Sequence, residues 1–363
     1  MKLKITLFIL FAFSSLSYSF SQTPLVAFKQ GEEWTFLDSE GKQMFRAGGI
    51  TEVGGYSEGL IGAQVILDGR KRWVYFDKTG KIKIKTDAEQ GVTFSEGKAV
   101  IFNNINPEEE IFEFGYVDTS GNVFKEIKYR DALSFTEGLA YVMNDEERGY
   151  INHKGEMVIK LDDDEVGYGF SEGLAAVSND NFKVGFIDKD GNMKIDYKLD
   201  IPSTFNDGLA RVADTATGKI GYINKYGVVT IQKMYDEAYD IIDNRTMAGY
   251  YDKQYKMRWA LLDGKGQQLT DFRFDHGKSF RNGAAVVIYG GRWGYIDSTG
   301  EFMFKNNFDF AEGFGEDGLA WAVDGEQVGF IDKTGNMIIP LPKADFYYDL
   351  RFNYELKTST KVN

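Results

Sequence analysis

Apolar residues in this chain come in short alternating runs, and the runs return at a regular distance. The clearest run ends in an aromatic, an aliphatic, Asp or Asn, two free positions and Gly, as in Tyr295-Ile296-Asp297-Ser298-Thr299-Gly300. The acidic or amide position recurs at Asp38, Asp77, Asp118, Asn152, Asp188, Asn224, Asp263, Asp297 and Asp332, in steps of 39, 41, 34, 36, 36, 39, 34 and 35 residues. Two positions before it stands an aromatic in eight of the nine copies, Leu261 being the exception, and one position before it always an apolar residue. Residues two apart on a strand share a face, so apolar residues at both parities predict a strand buried on both sides. A fixed period of this length marks an array of similar units.

Asp-x-x-Gly is the chemistry of a tight turn: the Asp side chain accepts a backbone hydrogen bond and the Gly tolerates a positive φ. A short strand follows it, as at Met157–Lys160. A second signature, Phe-Ser-Glu-Gly at 94–97 and 170–173 with variants at 56–59, 135–138, 205–208, 280–283 and 314–318, ends 20 or 21 residues past the Asp or Asn. A Leu-Ala-x-Val strand opens directly after it, for example Leu139–Val142. Each unit therefore reads as a three-stranded antiparallel meander, repeated nine times between Leu25 and about Leu341. The fold expected is all-β, an open curved stack of units, with a closed β-propeller as the alternative. Propeller blades normally have four strands, and neither terminus obviously completes a unit begun at the other, so the open stack is preferred. Residues 22–345 form the repeat domain, and residues 346–363 a C-terminal cap or tail covering the exposed end. Two stretches break the pattern: Tyr235–Met247, where the second signature is lost, and Asn103–Glu110, a polar insertion.

Residues 1–21 read as a secretory signal, with Lys2 and Lys4 ahead of the apolar run Ile5–Phe13 and small residues after it. The run is too short for a helix that spans a bilayer, so the mature chain is expected to be exported without a transmembrane span. The chain has no cysteine and a net charge of −13, more negative still once the two lysines leave with the leader. That excludes disulfides and thiol chemistry, and without Lys/Arg clusters it disfavours nucleic acid as a partner.

Most carboxylates recur in every unit as turn formers, which argues for structure over acid–base catalysis, and no enzyme activity or cofactor is expected. Asp162-Asp163-Asp164-Glu165 is the densest acidic cluster and reads as a solvated loop rather than a Ca²⁺ site. Asp188-x-Asp190-Gly191 fails as an EF-hand, since Phe186 and Tyr197 would fall at its ligating ends. His153 and His276 have no partner at metal-motif spacing, so no metal site is assigned. The positions after Leu-Ala vary between units. Among them Tyr141, Arg211 and Trp321 are residue types enriched at binding hot spots and are the candidate binding residues, provided that they form an exposed surface.

Trp293-Gly294-Tyr295-Ile296-Asp297-x-x-Gly300, with Phe-x-Glu-Gly-Leu-Ala in fixed phase, resembles the bacterial WG-repeat family over residues 25 to about 341. Trp34, Trp73 and Trp259 keep the Trp alone, and Gly115, Gly149, Gly185, Gly221 and Gly329 the Gly alone. The resemblance implies an all-β repeat array, exported or envelope-associated, without general enzymatic activity. The function expected is an exported interaction scaffold for a protein or envelope component, in the periplasm or at the surface of a bacterium. The alternative is a carbohydrate- or peptidoglycan-binding module, and a hydrolase ranks below both.

Overall fold

The computed structural model describes residues 23–305 and 307–358, and the leader expected at residues 1–21 lies outside them. Among the described residues every regular element is a strand, and the strands form nine separate antiparallel sheets. Taken in order, the sheets fill residues 24–48 (blade 1), 50–85 (blade 2), 90–129 (blade 3), 131–160 (blade 4), 166–199 (blade 5) and 201–235 (blade 6), then 237–263 (blade 7), 276–296 (blade 8) and 310–341 (blade 9). Sheet boundaries follow the sequence period.

The unit has four strands where the sequence predicted three. In blade 4 the Leu139–Met143 strand lies between Arg148–Asn152 and a two-residue strand, Asp131–Ala132, with Met157–Lys160 at the far edge. That first strand sits just ahead of Phe-x-Glu-Gly and is too short to show alternation. In blades 7 and 8 the fourth strand is reduced to isolated bridges, Trp259 with Phe274 and Trp293 with Phe308 among them.

The open stack is corrected by the way the ends meet. Strand Phe346–Asp349 pairs antiparallel with Pro24–Gln30, setting Ala27 opposite Tyr348. It supplies the first strand that blade 1 lacks, and Tyr354–Glu355 adds a fifth. Of the segment expected as a cap, residues 346–355 thus belong to blade 1. Leu25, Val26 and Leu37 share one core with Ile331, Ile339 and Leu341, so blade 9 packs on blade 1 and the array closes into a ring. A closed ring leaves no apolar end to cover, which is why no cap is needed.

All nine Asp/Asn-x-x-Gly turns form alike. The Asp or Asn Oδ1 accepts the N–H groups two and four residues on, as Asp118 does from Ser120 and Asn122, both at 2.9 Å. The Gly has a second reason besides its φ. A Cβ on Gly191 would stand 3.0 Å from Ile159 of blade 4, and one on Gly41 2.9 Å from Ile339 of blade 9. These turns therefore rest directly on the outer strand of the preceding blade. The third strands are buried on both faces, as Gly149–Ile151 and Gly185–Ile187 illustrate. Tyr235–Met247 keeps the fold without its signature: Ile241 fills the Phe place in the core, and Asp243 and Asn244 make the positive-φ turn at 53° and 57°. Asn103–Glu110 is the tip of a lengthened hairpin in blade 3.

Candidate functional site

Three contacts recur between neighbouring blades. The third-strand tyrosines form the first. Burial strips water from their hydroxyls, so each needs an acceptor. Tyr75, Tyr116, Tyr150, Tyr222 and Tyr295 donate to the carbonyls of Val92, Leu133, Tyr168, Tyr239 and Glu312, each on the first-strand segment of the next blade. The second is a cation–Asp pair 17 residues apart, as in Lys219–Asp236 at 2.8 Å, Arg258–Asp275 at 2.6 Å and Lys183–Asp200. The Lys183 ammonium and the Thr215 N–H hold the Asp200 carboxyl down at about 2.

The Glu of Phe-x-Glu-Gly makes the third. Glu58, Glu96, Glu137 and Glu172 accept from the N–H of Gly97, Gly138, Gly173 and Gly208, the matching Gly one blade on. A side chain from that next blade's Asp-x-x-Gly turn then meets the same carboxylate: the ammonium of Lys189 on Glu137 at 3.0 Å, that of Lys225 on Glu172 at 3.1 Å, and the imidazole of His153 on Glu96 at 3.0 Å. His153 also stacks on Phe135 at 4.5 Å. It is therefore part of the frame.

The candidate binding residues do not form the shared exposed surface required of them. Tyr141 and Trp321 are 1% and 0% exposed. The position after Leu-Ala faces the neighbouring blade, so large side chains there are packed. Trp321 lies against Phe330 and Tyr347, and its indole N–H donates to the Lys357 carbonyl. Arg211 is half-buried and already engaged, bonded to the Ala238 carbonyl at 2.9 Å and paired with Asp240 at 3.3 Å. Glu165 of the acidic loop bonds Tyr197 and the Asp162 N–H. Among the described residues no three His, Asp or Glu side chains converge as a metal set would.

The structure draws attention elsewhere, to the first strands. Side chains from blades two apart touch at the turns that follow them: Arg281 of blade 8 lies 5.0 Å over the ring of Phe352, in the turn after the strand that closes blade 1. Contacts that skip a blade require the first strands to face the ring axis. The position two before the signature Phe or its equivalent, from blade 2 to blade 9, reads Gly54, Val92, Leu133, Tyr168, Ser203, Tyr239, Lys278 and Glu312. Charge appears only at the last two, and they pair at 2.7 Å.

Around that pair lies a cavity of about 280 Å³ lined by His276, Lys278, Arg281, Glu312, Phe352 and Tyr354 among others. Lys278 sits 4.7 Å from the Trp293 ring and 4.6 Å from that of Phe310, with its ammonium on the Ala311 carbonyl at 3.0 Å. Burial pushes its pKa down and Glu312 opposes that. His276 meets Trp259 and Trp293 edge-on at 5.8 and 5.7 Å, and burial, with Lys278 beside it, lowers its pKa. Sequence reading passed over this group. The available signal was Phe280-Arg281-Asn282-Gly283, the one second signature with a basic residue after its aromatic.

A closed ring of nine small antiparallel sheets with its termini joined in one blade is a nine-bladed β-propeller. The chain is a WG containing repeat protein: the model of that family matches residues 114–147, 149–181, 185–213, 259–293 and 293–326. No curated protein matches it. Among solved structures it is similar to one titled the crystal structure of the eukaryotic initiation factor, at 12% identity over 94% of this chain and 100% of that one, with a TM-score of 0.62. It also matches BamB from Moraxella catarrhalis (11% identity, 77% and 89% covered, TM-score 0.42) and an uncharacterized protein from Listeria monocytogenes EGD-e (9%, 86% and 96%, 0.43). At such identities the first likeness is one of fold alone, and the lower two add nothing to it.

Proposed function

We propose that this protein is an exported, non-catalytic interaction scaffold that binds a protein or another envelope component. One observation carries the reading: contacts of the same kinds recur between blades, whereas the first-strand position two before the signature aromatic changes from Gly54 to Glu312. A fixed frame with variable inner positions is how repeat proteins build recognition surfaces. Export is supported by the leader pattern at residues 1–21. N-terminal sequencing of the mature chain from an envelope fraction tests it, with cleavage between Ser21 and Gln22 expected and an intact Met1 the contrary result.

Phe182 and Tyr255 favour a second reading, carbohydrate binding. Both are tips of turns between second and third strands, 85% and 88% exposed. Blade 6 between them carries Asp214–Gly218 at that turn, with no aromatic to continue a row, so the protein reading ranks first. The test sets immobilised mature chain against envelope extract and a glycan array. Saturable capture of one defined protein, competed by free chain, supports the scaffold; binding confined to glycans overturns it.

A further inference from the structure

The half-buried arginines of this chain are all occupied except one. Arg72, Arg130, Arg211, Arg258, Arg292 and Arg351 meet carboxylates, and Arg148 and Arg245 donate to the carbonyls of Glu165 and Ser298. Among the described residues, Arg281 has only the face of Phe352 beneath its guanidinium. Phe352 is itself held from its other neighbour, Arg351, at 5.0 Å, and Arg351 is neutralised by Asp317 and Asp349. A guanidinium stacked on a ring keeps its in-plane donors free, which is the geometry that receives a planar anion in a two-point bond.

We infer that the cavity between blades 7, 8, 9 and 1 is a binding site for a single carboxylate group, received by Arg281 beside an apolar wall. Charge selects the class. Lys278 is satisfied by Glu312 at 2.7 Å, so the lining carries one cation in excess, with Lys357 near enough to add to the field. A monoanion balances that excess, whereas a phosphate dianion would be set against the Glu312 carboxylate. Size and lining agree: about 280 Å³, walled in part by Tyr239, Phe352 and Tyr354, takes a carboxylate with one apolar side chain next to it. Phe352 and Tyr354 follow the strand that joins the ends of the chain, so the site is complete only in the closed ring. The proposal rests on the scaffold reading for its choice of a peptide as the natural occupant. A chain terminus and an acidic side chain offer the same chemistry.

The chain holds two histidines, and one of them, His276, lines the cavity, so its ring NMR signals report occupancy once a His276→Gln spectrum assigns them. N-acetylphenylalanine (a terminal carboxylate), N-acetylaspartyl-phenylalaninamide (a side-chain carboxylate), N-acetylphenylalaninamide (neutral) and inorganic phosphate are titrated into the full mature chain. At least one of the two acids is expected to move the His276 signals saturably, with neutral probe and phosphate weaker, and the tighter acid identifies the source. Arg281→Gln should weaken that binding about tenfold or more, with at most a small drop in melting temperature, since among the described residues the Arg281 side chain has its stacking on Phe352 to lose and no hydrogen bond. Equal binding of acid and amide, tighter binding of phosphate, unchanged affinity in Arg281→Gln, or no shift with any probe overturns the assignment. Failure of the two readings is separable. A partner captured equally by wild type and Arg281→Gln leaves the scaffold and removes the site; carboxylate binding without any captured protein does the reverse.

Discussion

A glutamate at positive φ is an expensive choice for a turn. Glu58, Glu96, Glu137 and Glu172 stand at 51° to 53°, each followed by a positive-φ Gly, the backbone of a type I′ turn that Asn-Gly would make with less strain. Glutamate is retained because its carboxylate reaches the next blade. Removing it should separate the two effects: Glu137→Ala loses the Gly173 and Lys189 bonds and keeps the strain, whereas Glu137→Gly loses the bonds and relieves it. Urea unfolding should place Glu137→Gly about 1 kcal/mol above Glu137→Ala, with wild type the most stable. Asp131 makes the opposite case. Its counterparts Asp200, Asp236, Asp275 and Asp309 each have a cation 17 residues back, but at that spacing Asp131 has Phe114. Burial raises its pKa, with the Ala132 N–H opposing. The folded state then holds the proton more tightly than the unfolded chain, so the charged form destabilises above the ordinary carboxyl range and costs nothing below it. Asp131→Asn should melt higher than wild type at pH 7, and the difference should vanish by about pH 3. The turn that holds Glu137 is readable locally; its partner Gly173, 36 residues on, and the cation that Asp131 lacks at a distance of 17 become meaningful only once blades are neighbours.

Among elements, the third strand does most to tie blades together. The alternation of aromatic and aliphatic residues predicted its double burial correctly, because a period of two is a local property. Why so many of the aromatics are tyrosine was not legible, since the hydroxyl's acceptor lies on another blade. Tyr116→Phe leaves the Leu133 carbonyl without its donor and should cost about 1–2 kcal/mol in chemical denaturation. Burial also pushes the phenols of Tyr75, Tyr116, Tyr150, Tyr222 and Tyr295 far up. Their contribution is complete below the unfolded value near pH 10 and is lost as pH rises beyond it. Alkaline titration followed by circular dichroism should show cooperative unfolding above about pH 10, displaced to higher pH by fewer buried phenols only if the Phe variant retains its neutral-pH fold. The two-residue first strands were missed for the converse reason: two residues carry no period.

For the whole molecule the decisive contact joins the ends. Residues 346–349 pair with 26–29, and Asp345 N–H and Leu350 N–H donate to the carbonyls of Lys29 and Leu25. Truncation after Pro342 removes these bonds and the first strand of blade 1 with them, exposes Pro24–Gln30 as an open edge, and deletes Phe352 and Tyr354 from the cavity. Hydrogen exchange on residues 24–30 should rise sharply in the truncated chain while blades 4 to 6 keep their protection, because each blade's contacts are mainly with its neighbours. Unchanged protection at 24–30 would mean that the pairing contributes little to closure.

Sequence alone determined the number of units, their turns, the strands buried on both faces and the lack of thiol chemistry, all properties set by residues within a few positions of one another. Tertiary structure decided that the array closes, that Tyr141 and Trp321 lie inside it, and that Lys278, Arg281, Glu312 and Phe352 meet. These depend on pairings across more than 300 residues, where no local spacing announces the partner and only the curvature accumulated over nine packed blades brings it within reach.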